Sequence, residues 1–292
     1  MVDHQTSRGR FAPSPTGTLH VGNVRTALAA SALARADGGS FLVRFEDLDR
    51  VTSSRDIATQ QLRDLESVGV VSDSEPVFQS ERFDLYEGYI NRLVALGLTY
   101  ECFCSRKEIH DAAQAPHGNQ MLYPGTCRDL SEGEREKRRL ERSPALRLRS
   151  SGEVIGFTDL ILGDCSAVVD DVVLRRNDGV PAYNLAVVVD DELQGITEVV
   201  RGDDLVGITP SQIHLQRLLG FSTPTYCHVP LVLGVDGERL AKRHGAVSLA
   251  DLAADGHSAD DVRASLWSSL GQTGDAFDLS LIPREPYVWR GM

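Results

Sequence analysis

Arg10-Phe11-Ala12-Pro13-Ser14-Pro15-Thr16-Gly17-Thr18-Leu19-His20-Val21-Gly22-Asn23 decides the reading of this 292-residue chain. It opens as a short strand and turns through two prolines and a glycine. It then runs into Val24 to Ala36, a stretch of good helix formers that Asp37-Gly38-Gly39 stops. A strand, a glycine-bearing turn and a helix aim backbone N–H groups and the positive helix end at a phosphate. His20 and Asn23 are expected on the first turn, on one face, and both can donate to phosphate oxygens. The spacing fits neither a Walker loop nor a GxGxxG fingerprint. Taken alone, the segment also suits an ordinary βα turn with a surface histidine.

Working outward, Ser40 to Phe45 reads as a buried strand with Glu46 at its carboxyl end, where open α/β sheets bind ligands. Asp47 and Asp49 read as local caps or partners of Arg50 and Arg55. Arg55 to Val68 and Arg82 to Leu96 are amphipathic helices, each closed by a glycine. Ala145 to Arg149 and Val172 to Arg176 are predicted strands. Asn177-Asp178-Gly179 is a hairpin turn, and the returning strand carries Tyr183 and Ala186 to Val189. Glu198 to Asp204 is a further strand ending in charges. Thr209-Pro210-Ser211-Gln212 opens a helix as a capping box, and Gly220 closes it. Arg239 to Arg243 is an exposed basic loop. Helices fill Ser248 to Leu270, and a tail with Trp289 packs back on the surface.

Hydrophobic residues make up 41% and charged residues 25%, the balance of a soluble globular protein, and no apolar run is long enough to span a membrane. The polar start lacks a signal-peptide core, so a cytoplasmic protein is expected. A net charge of −12 argues against indiscriminate nucleic-acid binding, though not against a local basic face. On Ser131 to Arg142 the basic residues read as a solvated helix face. Of five cysteines, Cys102, Cys104 and Cys127 cluster, which favours metal over disulfides. Three thiolates need a fourth ligand for a closed zinc site. His110, His117 and Tyr123 are available, and chemistry alone favours a histidine.

The opening stretch resembles the signature region of the glutamyl branch of class I aminoacyl-tRNA synthetases. His20-Val21-Gly22-Asn23 matches that class's HIGH motif with Asn23 in place of the last histidine. Arg239-Leu240-Ala241-Lys242-Arg243 resembles its KMSKS motif. Full synthetases of this branch carry a large anticodon-binding region after KMSKS, whereas only residues 244–292 follow here. The chain therefore resembles the truncated paralogues of the branch, which place glutamate on queuosine in aspartate tRNA.

The resemblance implies a discontinuous Rossmann-type parallel sheet in an α/β fold, with a zinc-bearing insertion and a short C-terminal helical subdomain. Residues 1–98 and 191–244 form the two halves of the catalytic domain, 99–190 the insertion, and 245–292 the helical end. It implies ATP, Mg²⁺, L-glutamate and queuosine-containing tRNA(Asp) as ligands of a monomer, with no membrane partner. His20, Asn23 and Lys242 become catalytic, and Pro13, Gly17 and Gly22 join them around ATP. Arg10, Phe11, Ala12, Pro13, Ser14, Glu46, Tyr183 and Arg201 surround glutamate. The family's Cys-x-Cys and Tyr-x-x-x-Cys pattern selects Tyr123 as the fourth zinc ligand. With Asn23 replacing an imidazole, His20 and Lys242 are expected to carry more of the positive charge. Three other readings remain open at this point: a minimal synthetase charging the acceptor end, a non-catalytic paralogue that binds tRNA or senses glutamate, and a small-molecule adenylyltransferase with a HIGH-like motif.

Overall fold

The computed structural model describes residues 6–36, 38–105, 107–109, 122–240 and 247–292. The chain begins with β1 (Arg8–Phe11), α1 (Val21–Ala36), β2 (Ser40–Phe45), α2 (Arg55–Ser67), β3 (Val77–Phe78) and α3 (Phe83–Ala95). It continues through β4 (Thr99–Cys102), α4 (Glu132–Glu141), β5 (Ala145–Leu148), β6 (Val154–Asp159), β7 (Gly163–Val168) and β8 (Val173–Arg175). Then come α5 (Tyr183–Leu193), β9 (Glu198–Gly202), α6 (Thr209–Leu219), β10 (Thr225–Val229) and β11 (Val232–Leu233). Helices α7 (Leu249–Ala254) and α8 (Ala259–Ser269) and strand β12 (Tyr287–Val288) complete it.

Seven strands form one sheet in the order β3-β2-β1-β9-β10-β6-β7, parallel except for the β6–β7 hairpin. Strands β1, β2 and β9 are buried along most of their length, as in parallel sheets covered on both faces by helices. Helix α1 lies so close to the sheet that a Cβ on Gly9 would stand 2.7 Å from the Ala34 Cβ. The order reverses between β1 and β9, and in such sheets the crevice at the carboxyl ends of the two strands is the binding place. The hairpin lies inside residues 99–190 and joins the large sheet through Tyr226 and Asp159. Strands β4, β5 and β8 make a separate antiparallel sheet.

The returning strand expected at Tyr183 is instead helix α5. Its apolar residues Leu185 to Val189 are all buried, as are Asp190 and Asp191. A helix enclosed on every side shows no amphipathic period, so its β-branched run imitates a strand. The tail also differs from expectation. β12 pairs with β11, and Trp289 is buried in the main core. Helix α4 carries the predicted capping box of Ser131 and Glu134.

Candidate active site

The carboxyl ends of β1, β2 and β9 open on a cavity of about 420 Å³. Arg10, His20, Asn23, Glu46, Tyr183 and Arg201 line it, so the two halves of the chain converge there. Phe11, Ala12 and Gly22 contribute to the same wall. Gly17 borders a second cavity of about 700 Å³ on the other side of His20, which Leu240 and Ser248 also bound. Pro13 and Ser14 line neither. The Pro13 carbonyl accepts from Glu46 N–H at 2.9 Å, and the Ser14 carbonyl accepts from Gln61. Both residues shape the turn that leads to His20.

Helix α1 starts three residues earlier than expected, so His20 is its N-cap. Asn23 N–H donates to His20 Nδ1 at 3.2 Å, and His20 N–H donates to Asn23 Oδ1 at 3.2 Å. This reciprocal pair has the logic of a capping box built from imidazole and amide. It fixes the tautomer: Nδ1 accepts, so Nε2 carries the proton. Burial lowers the His20 pKa as well. His20 is therefore a neutral donor, which corrects the expectation that it carries positive charge. The positive end of helix α1 lies at this cap. Gly22 permits the cap, because a Cβ there would stand 2.9 Å from the imidazole.

Arg10 and Arg201 are both buried at the cavity wall. Arg10 Nε donates to Asp191 Oδ1 at 3.1 Å and Nη1 to the Val200 carbonyl at 3.2 Å. Asp191 also binds Arg44 at 2.9 Å. Burial alone raises the Asp191 pKa, but Arg10 and Arg44 outweigh it and hold the group ionised below the usual range. Arg201 differs. Its donors go to His228 Nε2 at 3.1 Å, Gln212 Oε1 at 2.8 Å and Thr209 Oγ1 at 2.7 Å, all neutral acceptors. No carboxylate pairs with it among the described residues. Two of its five N–H donors remain for a ligand. Thr209 and Gln212, expected as a capping box, hold this guanidinium instead, and α6 has no side-chain cap.

Glu46 lines the same cavity. Burial pushes its carboxyl up to about 7, with Arg44 and Arg10 pulling it down and Asp191 and Asp190 adding to the rise. Burial likewise raises the Tyr183 hydroxyl. The site thus combines buried guanidinium donors with a carboxyl poised to ionise. That arrangement suits a ligand with a carboxylate and an ammonium group. Asp49 is a local cap as expected, accepting from Val51 N–H, but Asp47 accepts from Ser80, 33 positions away. The expected partners lie elsewhere, Arg50 donating to the Ser80 carbonyl and Arg55 pairing with Glu81.

Sequence reading missed Asp190 and Asp191. Asp190 accepts from Gln79, Arg82 and Tyr86, tying α3 to α5. Two adjacent aspartates ending an apolar run were the available signal, because buried carboxylates need partners. Also missed was the ion pair of Arg239 with Asp204 at 2.5 Å across the cavity mouth. Lys242 lies outside the described residues. The neighbouring Leu240 lines both cavities, and Val247 accepts from Val21 N–H at 2.8 Å, so both flanks of the basic stretch border His20.

The cysteine cluster forms a compact donor set. The sulfurs of Cys102, Cys104 and Cys127 lie within 4.8 Å of one another. Tyr123 Oη is 3.3 Å from Cys102 Sγ and 3.5 Å from Cys104 Sγ. Ligands about 2.3 Å from one zinc ion stand about 3.8 Å apart, so this donor set fits the ion. Phe103 N–H points at Cys127 Sγ, Arg138 Nη1 is 4.0 Å from that sulfur, and Arg147 stacks on the Tyr123 ring. These donors suit thiolates. His110 and His117 lie outside the described residues. The nearby basic helix is mostly paired, Arg139 with Glu101 and Glu132, and Arg142 with Glu108.

Comparison with known proteins agrees with this geometry. Residues 6–276 match the catalytic-domain family of class I tRNA synthetases (E and Q). The glutamyl-Q tRNA(Asp) synthetase of Nocardia farcinica is 53% identical over 96% of this chain and 92% of its own length. The glutamate–tRNA ligase of Geobacter sulfurreducens is 43% identical over 83% of this chain, but that match covers only 52% of the ligase. The crystal structure of a glutamate tRNA ligase from Elizabethkingia meningosepticum, in complex with its amino acid, superposes with a TM-score of 0.74 at 26% identity. It covers 97% of this chain and 67% of that one. The chain belongs to the class I tRNA synthetases for glutamate and glutamine, ligases among which it falls on the branch of the glutamyl-Q tRNA(Asp) synthetases.

Proposed function

We propose that this ligase activates L-glutamate with ATP and transfers it to queuosine at the first anticodon position of aspartate tRNA. The observation that carries the first half is Arg201, a buried guanidinium with only neutral partners at a cavity wall shared with Arg10 and Glu46. A glutamate side-chain carboxylate supplies the missing anion, and Glu46 receives the ammonium group. Phe11, Ala12 and Tyr183 enclose the aliphatic part. The substrate α-carboxylate attacks the α-phosphorus of ATP, forming glutamyl-adenylate and releasing pyrophosphate. His20 Nε2–H and the Asn23 amide donate to phosphate oxygens at the positive end of α1, and Lys242 adds a point charge. Mg²⁺ accompanies the nucleotide. A hydroxyl of the queuosine cyclopentene diol then attacks the glutamyl carbonyl, and AMP leaves. Similar proteins named glutamyl-Q tRNA(Asp) synthetases support that acceptor. Among the described residues no helix is long and apolar enough to cross a membrane.

ATP–pyrophosphate exchange tests the reading. Glutamate is expected to support exchange without tRNA, and other amino acids are not. The exchange also has a predicted pH dependence. In the empty site Glu46 stays protonated up to about 7. An arriving ammonium group favours the ionised form, so glutamate affinity improves as pH rises through that value and levels off above it. A KM for glutamate that is flat between about pH 6 and about pH 8 contradicts the role of Glu46.

Cys102, Cys104, Tyr123 and Cys127 would hold one zinc ion, which supplies a structural clamp remote from the chemistry. Cys104→Ser is expected to lose the metal and to lower the melting temperature, because structural zinc binding is coupled to folding. Elemental analysis of tag-free protein checks it. Wild-type protein without zinc, or full metal content in the variant, contradicts the assignment.

A further inference from the structure

Arg201 meets the glutamate pocket at the end of a buried chain that begins in the β6–β7 hairpin. Asp159 is the last residue of β6 and is paired with β10. Its Oδ1 accepts from the N–H groups of Ile161 and Leu162, at 2.9 and 3.0 Å. Its Oδ2 lies 3.0 Å from the backbone N and 2.7 Å from the ring Nδ1 of His228. Both side chains are fully buried. The two contacts at Oδ2 make the carboxylate an acceptor twice over, so His228 Nδ1 carries the proton and Nε2 presents its lone pair. That lone pair receives Arg201 Nε–H at 3.1 Å. The opposite tautomer would set one N–H against another. Tyr226 stacks on the imidazole at 6.0 Å and 11°, which fixes the ring plane.

The two substrate-facing arginines are thus supported in different ways. Arg10 touches a carboxylate directly, and Asp191 shares its charge with Arg44. Arg201 has its carboxylate one imidazole removed. A direct aspartate would orient Arg201 equally well but would compete with the incoming side-chain carboxylate. An Asp159–His228 relay sets the direction of the guanidinium and leaves its charge uncompensated at the pocket.

We propose that His228 and Asp159 are positioning residues that hold Arg201 in the orientation that selects a carboxylate side chain. The proposal rests on the reading of Arg201 as the partner of glutamate. It gives the β6–β7 hairpin a part in amino-acid selection through Asp159, although the hairpin itself stands at the edge of the sheet.

The test is pyrophosphate exchange with glutamate and ATP varied separately in Arg201→Ala, His228→Leu and His228→Gln. His228→Leu removes the acceptor and is expected to raise the KM for glutamate about tenfold or more, with the KM for ATP within about twofold. The Gln Oε1 can stand in for Nε2, so His228→Gln is expected to recover most of the loss. If Arg201→Ala leaves the KM for glutamate unchanged, the reading of Arg201 fails and the proposal falls with it. If Arg201→Ala raises that KM while His228→Leu does not, or if His228→Leu raises both KM values alike, the positioning role alone is overturned. Should His228→Leu not fold, the ring ¹⁵N shifts of histidine-labelled wild-type protein decide. His228→Gln then identifies the signal. A proton on Nδ1 is expected, and a proton on Nε2 overturns the proposal.

Discussion

Arg201→Ala is expected to raise the KM for glutamate about a hundredfold and to leave the KM for ATP within about twofold. The magnitude follows from the setting. The guanidinium is buried, its three protein partners are neutral, and two donors remain for the ligand. Removing it leaves a substrate carboxylate desolvated and unpaired, which costs on the order of 3 kcal/mol. Arg201→Lys is expected to do little better, because an ammonium cannot bridge His228, Gln212 and Thr209 while also facing the pocket. Separate titrations of glutamate and ATP check the split. An equal rise in both KM values would place Arg201 in the scaffold instead.

His20→Ala is expected to slow exchange about a hundredfold at saturating substrates, the loss typical of one preorganised donor at a developing charge. It also removes an N-cap acceptor, worth about 1 kcal/mol of stability. His20→Asn separates the two effects. Its Oδ1 can still accept from Asn23 N–H, so stability is kept, but no donor stands where Nε2–H stood. Slow exchange with an unchanged melting temperature is the expected result. Wild-type exchange in His20→Asn contradicts a donor role for the imidazole.

Local features of the fold were legible because local chemistry sets them. The turn before α1, the buried strand β2, the helices ended by Gly69 and Gly97, and the capping box at Ser131 all follow from residues a few positions apart. Arg10, Glu46 and Arg201 sit at strand ends, where the topology of a parallel sheet points. Helix α5 was illegible for the opposite reason: burial on all sides erases the period that marks a helix. The supports of the site were also hidden. Asp191 lies 181 positions from Arg10, and Asp159 lies 69 from His228, so no spacing rule connects them. Thr209 and Gln212 show the remaining difficulty. Their spacing spelled a helix cap, and tertiary structure used the same atoms to hold Arg201.

Labelled glutamate offered to aspartate tRNA, with and without queuosine, tests the central claim most directly. The label is expected on the queuosine-containing tRNA alone, and it should survive removal of the acceptor-terminal adenosine. Glutamate tRNA should remain unlabelled. Labelling of glutamate tRNA at its acceptor end, or of aspartate tRNA regardless of queuosine, contradicts the account.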